Sequence, residues 1–495
     1  WPLLRPGFFP IHDSLQVLRL HQMEKCFLDG QLPCRWTPDL GGGFGLPLFN
    51  YYSPLIYYLG MVFRFLGFSF LASIKALFLL GILLSGFTMY LLSKEFWGEL
   101  GGLVSAVLYI FVPYHALDIF VRGDLAEVFA LSILPLVFWS FYCLLKGKSG
   151  IFWLLAVFSL ASFLLSHNIT AMLALPFLLA WLVFWFFVPK RVDKKDFLRV
   201  FSAGLVGFGL AAFYLFPAWF ERPLVQLEGL TTGYFDFRAH FASLKQLFWE
   251  RSWGYGISRF GVPDTISLQI GWLHWWLVIG AGLVGFLRLK KRRDKQGFLI
   301  FLFLFLFLIL SFMIHPRSSF IWERIPLLAF VQFPWRFLGL VGFVTSFLAG
   351  SIFLLFSKKK RVWVVSLATF LIGLTIFLNF SYFKPEKFLP LADQDFLFGE
   401  AFERERMGSI YDFLPKEVVA LPNFDSQSPQ ILEGELAISE FLKKSDYFKI
   451  NIEVFGEKTA KILAPVFAFP NWQTFIDEEP VSIEKNQWGL ILVEA

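Results

Sequence analysis

The sequence has 495 residues, 57% of them hydrophobic and 20% aromatic, with only 17% charged. Soluble domains carry more charge and fewer long apolar runs, so a string of soluble domains is excluded. The net charge of +6 fits basic loops on the inner face of a membrane, and nucleic-acid binding is not expected.

In chain order, the first landmark is a polar loop over 8–58. It holds the pair His12-Asp13, then Asp39, the run Gly41-Gly42-Gly43-Phe44-Gly45 and the aromatic stretch Phe49-Asn50-Tyr51-Tyr52-Ser53-Pro54. The chain is already extra-membranous at Trp1, so a further spanning segment is expected upstream. Cys26 and Cys34 share this loop and read either as a disulfide or as free thiols. Cys143 reads as packing inside an apolar helix. Residues 54–67 are apolar but short, and Arg64 interrupts them, so they read as an interfacial or re-entrant segment.

Hydropathy then marks about ten spans, near 70–93, 99–116, 126–145, 151–166, 169–188, 199–217, 270–287, 298–314, 335–356 and 362–380. Four basic clusters fall between them. They are Lys146 and Lys148; Lys190, Arg191, Lys194, Lys195 and Arg199; Arg288, Lys290, Lys291, Arg292, Arg293 and Lys295; and Lys358, Lys359, Lys360 and Arg361. All lie on one side if the spans alternate, and that side is expected to be cytoplasmic. The other side then carries the first loop, the 117–125 turn, Ser166-His167-Asn168, the 218–269 and 315–334 loops, and the C-terminal region. After Asn379 the composition turns polar. Lys449–Val454 alternates as a strand, Ile462–Phe467 reads as another, and Asn471-Trp472 marks a turn. The expected fold is an all-α polytopic membrane protein with a small C-terminal β-rich extracytoplasmic domain. Its parts are the first loop with its interfacial segment (1–69), the transmembrane helices (70–380) and the β-rich region (381–495).

Charges next to lipid usually pair, face a cavity or do work. Asp13 has the chemistry of a general base or a metal ligand, with His12 beside it; the plain alternative is a helix cap or Asx-turn. In Arg122-Gly123-Asp124-Leu125-Ala126-Glu127, Asp124 and Glu127 share a helix face and could ligate a metal; capping of the next helix explains them equally well. His167 suits a metal, a phosphate oxygen or a tight turn, the turn being favoured. Among Arg317, Arg324 and Arg336, Arg336 is placed for bidentate phosphate contact at the start of a span. Snorkelling, or pairing with Glu323, is the plain reading. The glycine run lacks the Lys-Ser/Thr and the preceding strand of a phosphate loop and reads as a tight, close-packed loop.

The stretches GFFPIHDSLQVLRL, DGQLPCRWTPDLGGGFGLPLFNYYSPLIYYLG, RGDLAEVFALSILPL, SHNITA, VQFPWRFLG and FAFPNWQTFIDEEPVSI together resemble a bacterial branch of the GT-C glycosyltransferase superfamily. That branch is labelled "membrane protein, 6-pyruvoyl-tetrahydropterin synthase-related domain" and is kin to YfhO-like proteins. The label is not chemistry, since the chain offers no set of zinc-binding histidines. The resemblance implies transfer of a sugar from a polyprenyl-phosphate donor to a lipid or polymer acceptor of the cell envelope, on the outer face of the bacterial cytoplasmic membrane. It implies Asp13, with His12, as catalytic. Asp124, Glu127, Arg122, His167, Arg336 and Asp39 become substrate-binding residues, and Asp13, Asp124 and Glu127 become ligands of a divalent metal, Mg or Mn. Two other classes are kept open: a transporter or flippase of lipid-linked precursors, and a non-catalytic envelope-assembly scaffold. The middles of the spans are nearly free of charge, which disfavours translocation.

Overall fold

Lipid offers no partner for a bare peptide group, so long apolar stretches must satisfy their hydrogen bonds internally, as helices. The computed structural model shows that outcome and describes residues 2–187, 193–259, 262–290, 294–356, 361–408, 412–424, 426–455 and 459–494. Lys190, Arg191, Lys291, Arg292, Arg293, Lys358, Lys359 and Lys360 of the basic clusters lie outside them.

Helices α1 (Gln16–Asp29), α2 (Leu48–Tyr51) and α3 (Leu55–Phe65) precede the long helix α4 (Phe70–Ile110) and the short α5 (Pro113–Leu117). Then follow α6 (Leu125–Leu145), α7 (Ile151–Ser166), α8 (Asn168–Phe187), α9 (Lys194–Phe220), α10 (Trp272–Leu289) and α11 (Lys295–Ile314). The last ones are α12 (Ser319–Arg324), α13 (Phe337–Ala349), α14 (Arg361–Asn379), α15 (Gln394–Leu397) and α16 (Gly399–Gly408). Helices stand at all ten expected positions, and among the described residues 8 are long and apolar enough to cross a membrane. The protein is a multi-pass membrane protein.

Two expectations need adjusting. The first two spans share one helical stretch, Phe70–Arg122, broken within α4 at Gly98, whose φ is 78°. The second span was also expected to reach 116. Its helix stops at Ile110, because Val112 is extended (ψ 129°) ahead of Pro113, as the residue before a proline prefers. Helix α3, with 11 residues, spans only about 16 Å at 1.5 Å per residue, too short to cross. Arg64, which interrupts it, pairs with Glu24 at 2.9 Å.

The chain divides into two compact units. The first comprises Trp1–Ser14, Ala72–Ala212 and Thr231–Leu391. In it, α6 packs on α7 and α8, and α13 packs on α6, α10 and α11. The spans of α6 and α13 are its interior: 83% of each is buried, against 22% for the α14 span. Each of these two central helices begins directly after a charged residue, Asp124 before α6 and Arg336 before α13.

The second unit comprises Leu15–Leu71, Phe213–Leu230 and Ala392–Ala495. Cys26 and Cys34 are joined as a disulfide. Asp393 caps the start of α4, accepting from the Phe70 and Leu71 amides at 2.7 and 2.9 Å. The glycine run is closed on itself: its amides are used by Arg406, Leu40 and Gly41 carbonyls, and the Gly42 and Gly43 carbonyls accept from Arg406 and Lys443. A loop that spends its N–H groups this way is no phosphate cradle. Among the described residues the β-rich region has eight strands: β1 (Gln430–Glu433), β2 (Glu435–Lys443), β3 (Phe448–Phe455), β4 (Lys461–Phe467), β5 (Thr474–Ile476), β6 (Glu479–Val481), β7 (Glu484–Lys485) and β8 (Leu490–Glu494). They form an antiparallel sheet ordered β1-β4-β8-β7 and the two pairs β2-β3 and β5-β6. Both expected strands are present, as β3 and β4. Asn471, in the expected turn, takes a left-handed φ of 82°.

Candidate functional site

The site lies in the first unit, where the N-terminal ends of α6 and α13 meet the chain around residue 12. After α5 the backbone makes one wide turn, Asp118–Arg122, and reverses at Gly123 in the left-handed region (φ 67°). The His12 amide donates to the Val121 carbonyl and the Asp13 amide to the Arg122 carbonyl, each at 2.9 Å. The His12-Asp13 segment is therefore laid along the Asp118–Arg122 turn by main-chain bonds.

Only a glycine permits that approach. A Cβ at residue 123 would stand 2.4 Å from Ile11 Cδ1 and 2.6 Å from its Cβ. Gly123→Ala is expected to destabilise by about 1–3 kcal/mol, from the left-handed backbone and the clash together. The check is the thermal midpoint in detergent; an unchanged midpoint would mean that Ile11 moves aside freely.

Asp124 caps α6, its Oδ1 accepting from the Glu127 amide at 3.0 Å. The capping reading of this pair therefore holds, and the remaining oxygens do more. Arg122 Nη2 donates to Asp124 Oδ2 at 2.8 Å, and Nη1 donates to Glu127 Oε2 at 2.8 Å. The same Nη1 reaches Asp118 Oδ1 and the Tyr114 hydroxyl, and Tyr114 donates to Glu127 Oε1 at 2.7 Å. Arg336 stands 3.7 Å from Asp124 and 3.5 Å from Glu127. Its Nε is buried without a hydrogen-bond partner. So Arg336 neither snorkels nor pairs with Glu323, which faces Arg238 at 3.5 Å. Three buried carboxylates are gathered around two guanidiniums. Burial pushes the Asp124 carboxyl up, but Arg122, His167 and Arg336 outweigh it and hold it below the usual carboxylate range.

His167 serves the turn between α7 and α8, its Nδ1 meeting Thr170 Oγ1 at 2.7 Å and accepting from the Thr170 amide at 3.4 Å. It is also beside the acids. Asp124, Glu127 and His167 offer ligand atoms within 4.8 Å of one another, so by spacing they could hold a metal ion. That trio has His167 where the sequence placed Asp13. Asp13 is not the cap of α1, a place taken by Leu15 with no side-chain bond. His12 Nε2 lies 3.3 Å from the Tyr255 carbonyl. Desolvation lowers its pKa below the ordinary histidine range, with the Tyr255 carbonyl opposing. Asp39 belongs to the second unit, where Gln22 and Lys25 on α1 take both its oxygens at 2.8 and 2.7 Å. Arg324 donates to the Phe320 carbonyl of its own helix.

Three members of the cluster were not singled out from sequence: Asp118, Tyr114 and Trp335. Asp118 carried a signal, being an acid four residues before Arg122 next to an apolar run. Tyr114 and Trp335 carried none, because aromatics crowd every span end. Trp335 lies under Arg122, the guanidinium 4.9 Å from its ring centre. Its Nε1 donates to Ser258 Oγ at 3.1 Å, and Ser258 meets His240 Nδ1 at 2.6 Å.

The family model described as "6-pyruvoyl-tetrahydropterin synthase related domain; membrane protein" matches residues 49–382, about two-thirds of the chain. A protein of Lactococcus lactis subsp. cremoris (strain MG1363), described as uncharacterised, is 25% identical over 336 residues, 64% of this chain and 52% of that protein. The chain thus spans about half the length of that relative. Two solved structures share a looser likeness. The arabinofuranosyltransferase AftD from Mycobacteria has a TM-score of 0.48 at 13% identity, covering 78% of this chain and 26% of that one. The oligosaccharyltransferase of Archaeoglobus fulgidus has a TM-score of 0.45 at 14% identity, covering 77% and 52%. Scores below 0.5 establish neither a shared fold nor a shared activity.

Proposed function

This chain belongs to the family of membrane proteins with a 6-pyruvoyl-tetrahydropterin synthase related domain, and we propose that it is a GT-C type glycosyltransferase. It moves a sugar from a polyprenyl-phosphate donor to a lipid or polymer acceptor of the cell envelope, at the extracytoplasmic face of a bacterial cytoplasmic membrane. The observation that carries the reading is the seating of His12-Asp13 on the turn that bears Arg122, beside Asp124, Glu127 and Arg336. The resemblance of the motif stretches supplies the substrate class. The Cys26–Cys34 disulfide suits an oxidising compartment and supports an extracytoplasmic first loop.

In the proposed reaction Asp13 takes the proton of the acceptor hydroxyl. That oxygen bonds to the anomeric carbon as the bond from this carbon to the phosphate oxygen breaks. The lipid phosphate leaves with the electron pair, and Arg336, whose Nε faces Glu127 at 3.5 Å without a hydrogen bond, meets the developing charge. His12, at the Tyr255 carbonyl, orients the segment. Asp124, Glu127, Arg122 and His167 shape the polar pocket for the sugar. Mg or Mn would draw on Asp124 and Glu127 oxygens. Those oxygens already face arginine, so the donor set does not fit a divalent ion as it stands, and the chain's own residues supply the transfer chemistry.

The test is sugar transfer by purified full-length protein, offered a panel of polyprenyl-phosphate sugars and envelope acceptors. Labelled product is the expected result. Folded protein that neither binds nor turns over any donor would abandon this reading for the transporter or the scaffold.

A further inference from the structure

We propose that Arg122 is the resident cation of the acidic cluster, seated where a divalent ion would have to bind, so that the site works on guanidinium charge and not on metal. The catalytic meaning rests on the transferase reading; the binding claim does not.

All four oxygens of the would-be ligands are committed. Asp124 Oδ1 accepts from the Glu127 amide and Oδ2 from Arg122. Glu127 Oε1 accepts from Tyr114 and Oε2 from Arg122. A hard divalent cation needs such oxygens at roughly 2.0–2.6 Å, which the intervening guanidinium and hydroxyl prevent. The third ligand is committed at one nitrogen. His167 Nδ1 meets Thr170 Oγ1 at 2.7 Å and the Thr170 amide at 3.4 Å, so only Nε2 is left to face the acids.

Charge argues the same way. Asp118, Asp124 and Glu127 face Arg122 and Arg336, three negative charges against two positive. The two guanidiniums leave one negative charge, half of what a divalent ion would supply, so the ion would bring no net gain in neutrality. Nor is Arg122 free to swing aside. Its side chain is 7% exposed, its carbonyl receives the Asp13 amide, and its guanidinium lies over Trp335, itself anchored through Ser258 to His240. A planar fork of five donors suits this multi-carboxylate role, and a lysine does not replace it.

The experiment measures Mn2+ binding to full-length protein in detergent, by loss of the free-ion electron paramagnetic resonance signal. Thermal midpoints with Mn2+ and with EDTA run alongside. Wild type is expected to bind none and to ignore EDTA. Arg122→Gln is expected to unfold several degrees lower, to bind one Mn2+ per chain and to regain much of the midpoint with it; adding Glu127→Gln removes that binding. Should Arg122→Gln fail to fold, Arg122→Lys takes its place, since one ammonium cannot span three carboxylates, and it too must gain binding. Wild type that binds Mn2+ through Glu127 overturns the proposal, and so does a folded Arg122 variant that binds none. Failure of sugar transfer in wild type would strike the transferase reading and leave this result standing.

Discussion

Asp13→Asn is expected to lower sugar transfer by about 10²–10⁴-fold, the range contributed by a positioned general base. The variant is a clean one. Residue 13 is seated by its own amide on the Arg122 carbonyl, and residue 12 by its amide on the Val121 carbonyl. Asparagine keeps both main-chain bonds and nearly the same volume, so the thermal midpoint should stay close to wild type while kcat falls. The donor KM should change little, because Arg336, the residue proposed to meet the phosphate, is untouched. Transfer at the wild-type rate in folded Asp13→Asn would remove Asp13 from the chemistry. A fall in donor affinity with kcat preserved would make it a binding residue instead.

Arg122→Met is expected to destabilise the protein by about 3–5 kcal/mol, the cost of leaving buried charge without its partner. Methionine fills much of the space of the side chain, so the loss is mainly electrostatic. Asp118, Glu127 and Asp124, with side chains 0%, 2% and 11% exposed, would be left facing one another with Arg336 alone. Neutralising the acids as well should recover most of the loss, because a packed uncharged network has no unpaired charge to bury. The triple variant Arg122→Met, Asp118→Asn, Glu127→Gln should therefore unfold above the single variant in the same detergent. Equal midpoints for wild type and Arg122→Met would mean that water reaches the carboxylates and screens them.

These two residues show how unevenly the sequence could be read. The spans were legible because their signal is a sum over some twenty apolar residues, and lipid imposes one backbone solution on each. Strands β3 and β4 were legible by their alternation. Asp124, Glu127, His167 and Arg336 were legible as charges at span ends, where each is costly unless used. The plain readings of Asp124 and His167 were not wrong either. Asp124 caps α6 and His167 serves its turn while both also stand in the cluster.

Asp118 and Tyr114 were missed, since an acid or a phenol at the end of an apolar run is ambiguous until its partner is known. Asp39 looked like the other loop carboxylates, yet both its oxygens are held by α1.

The sequence by itself determined a many-spanning membrane protein, its polar first loop and its β-rich end, because composition and period act locally along the chain. Only the tertiary structure decided that residues 12–13, 114–127, 167 and 336 meet, and that Asp118, Asp124 and Glu127 face arginine. Those are pairings between residues far apart in the chain, set by the packing of α6 against α13 and by a glycine at 123 that lets two backbones touch. Spacing carries no record of such contacts.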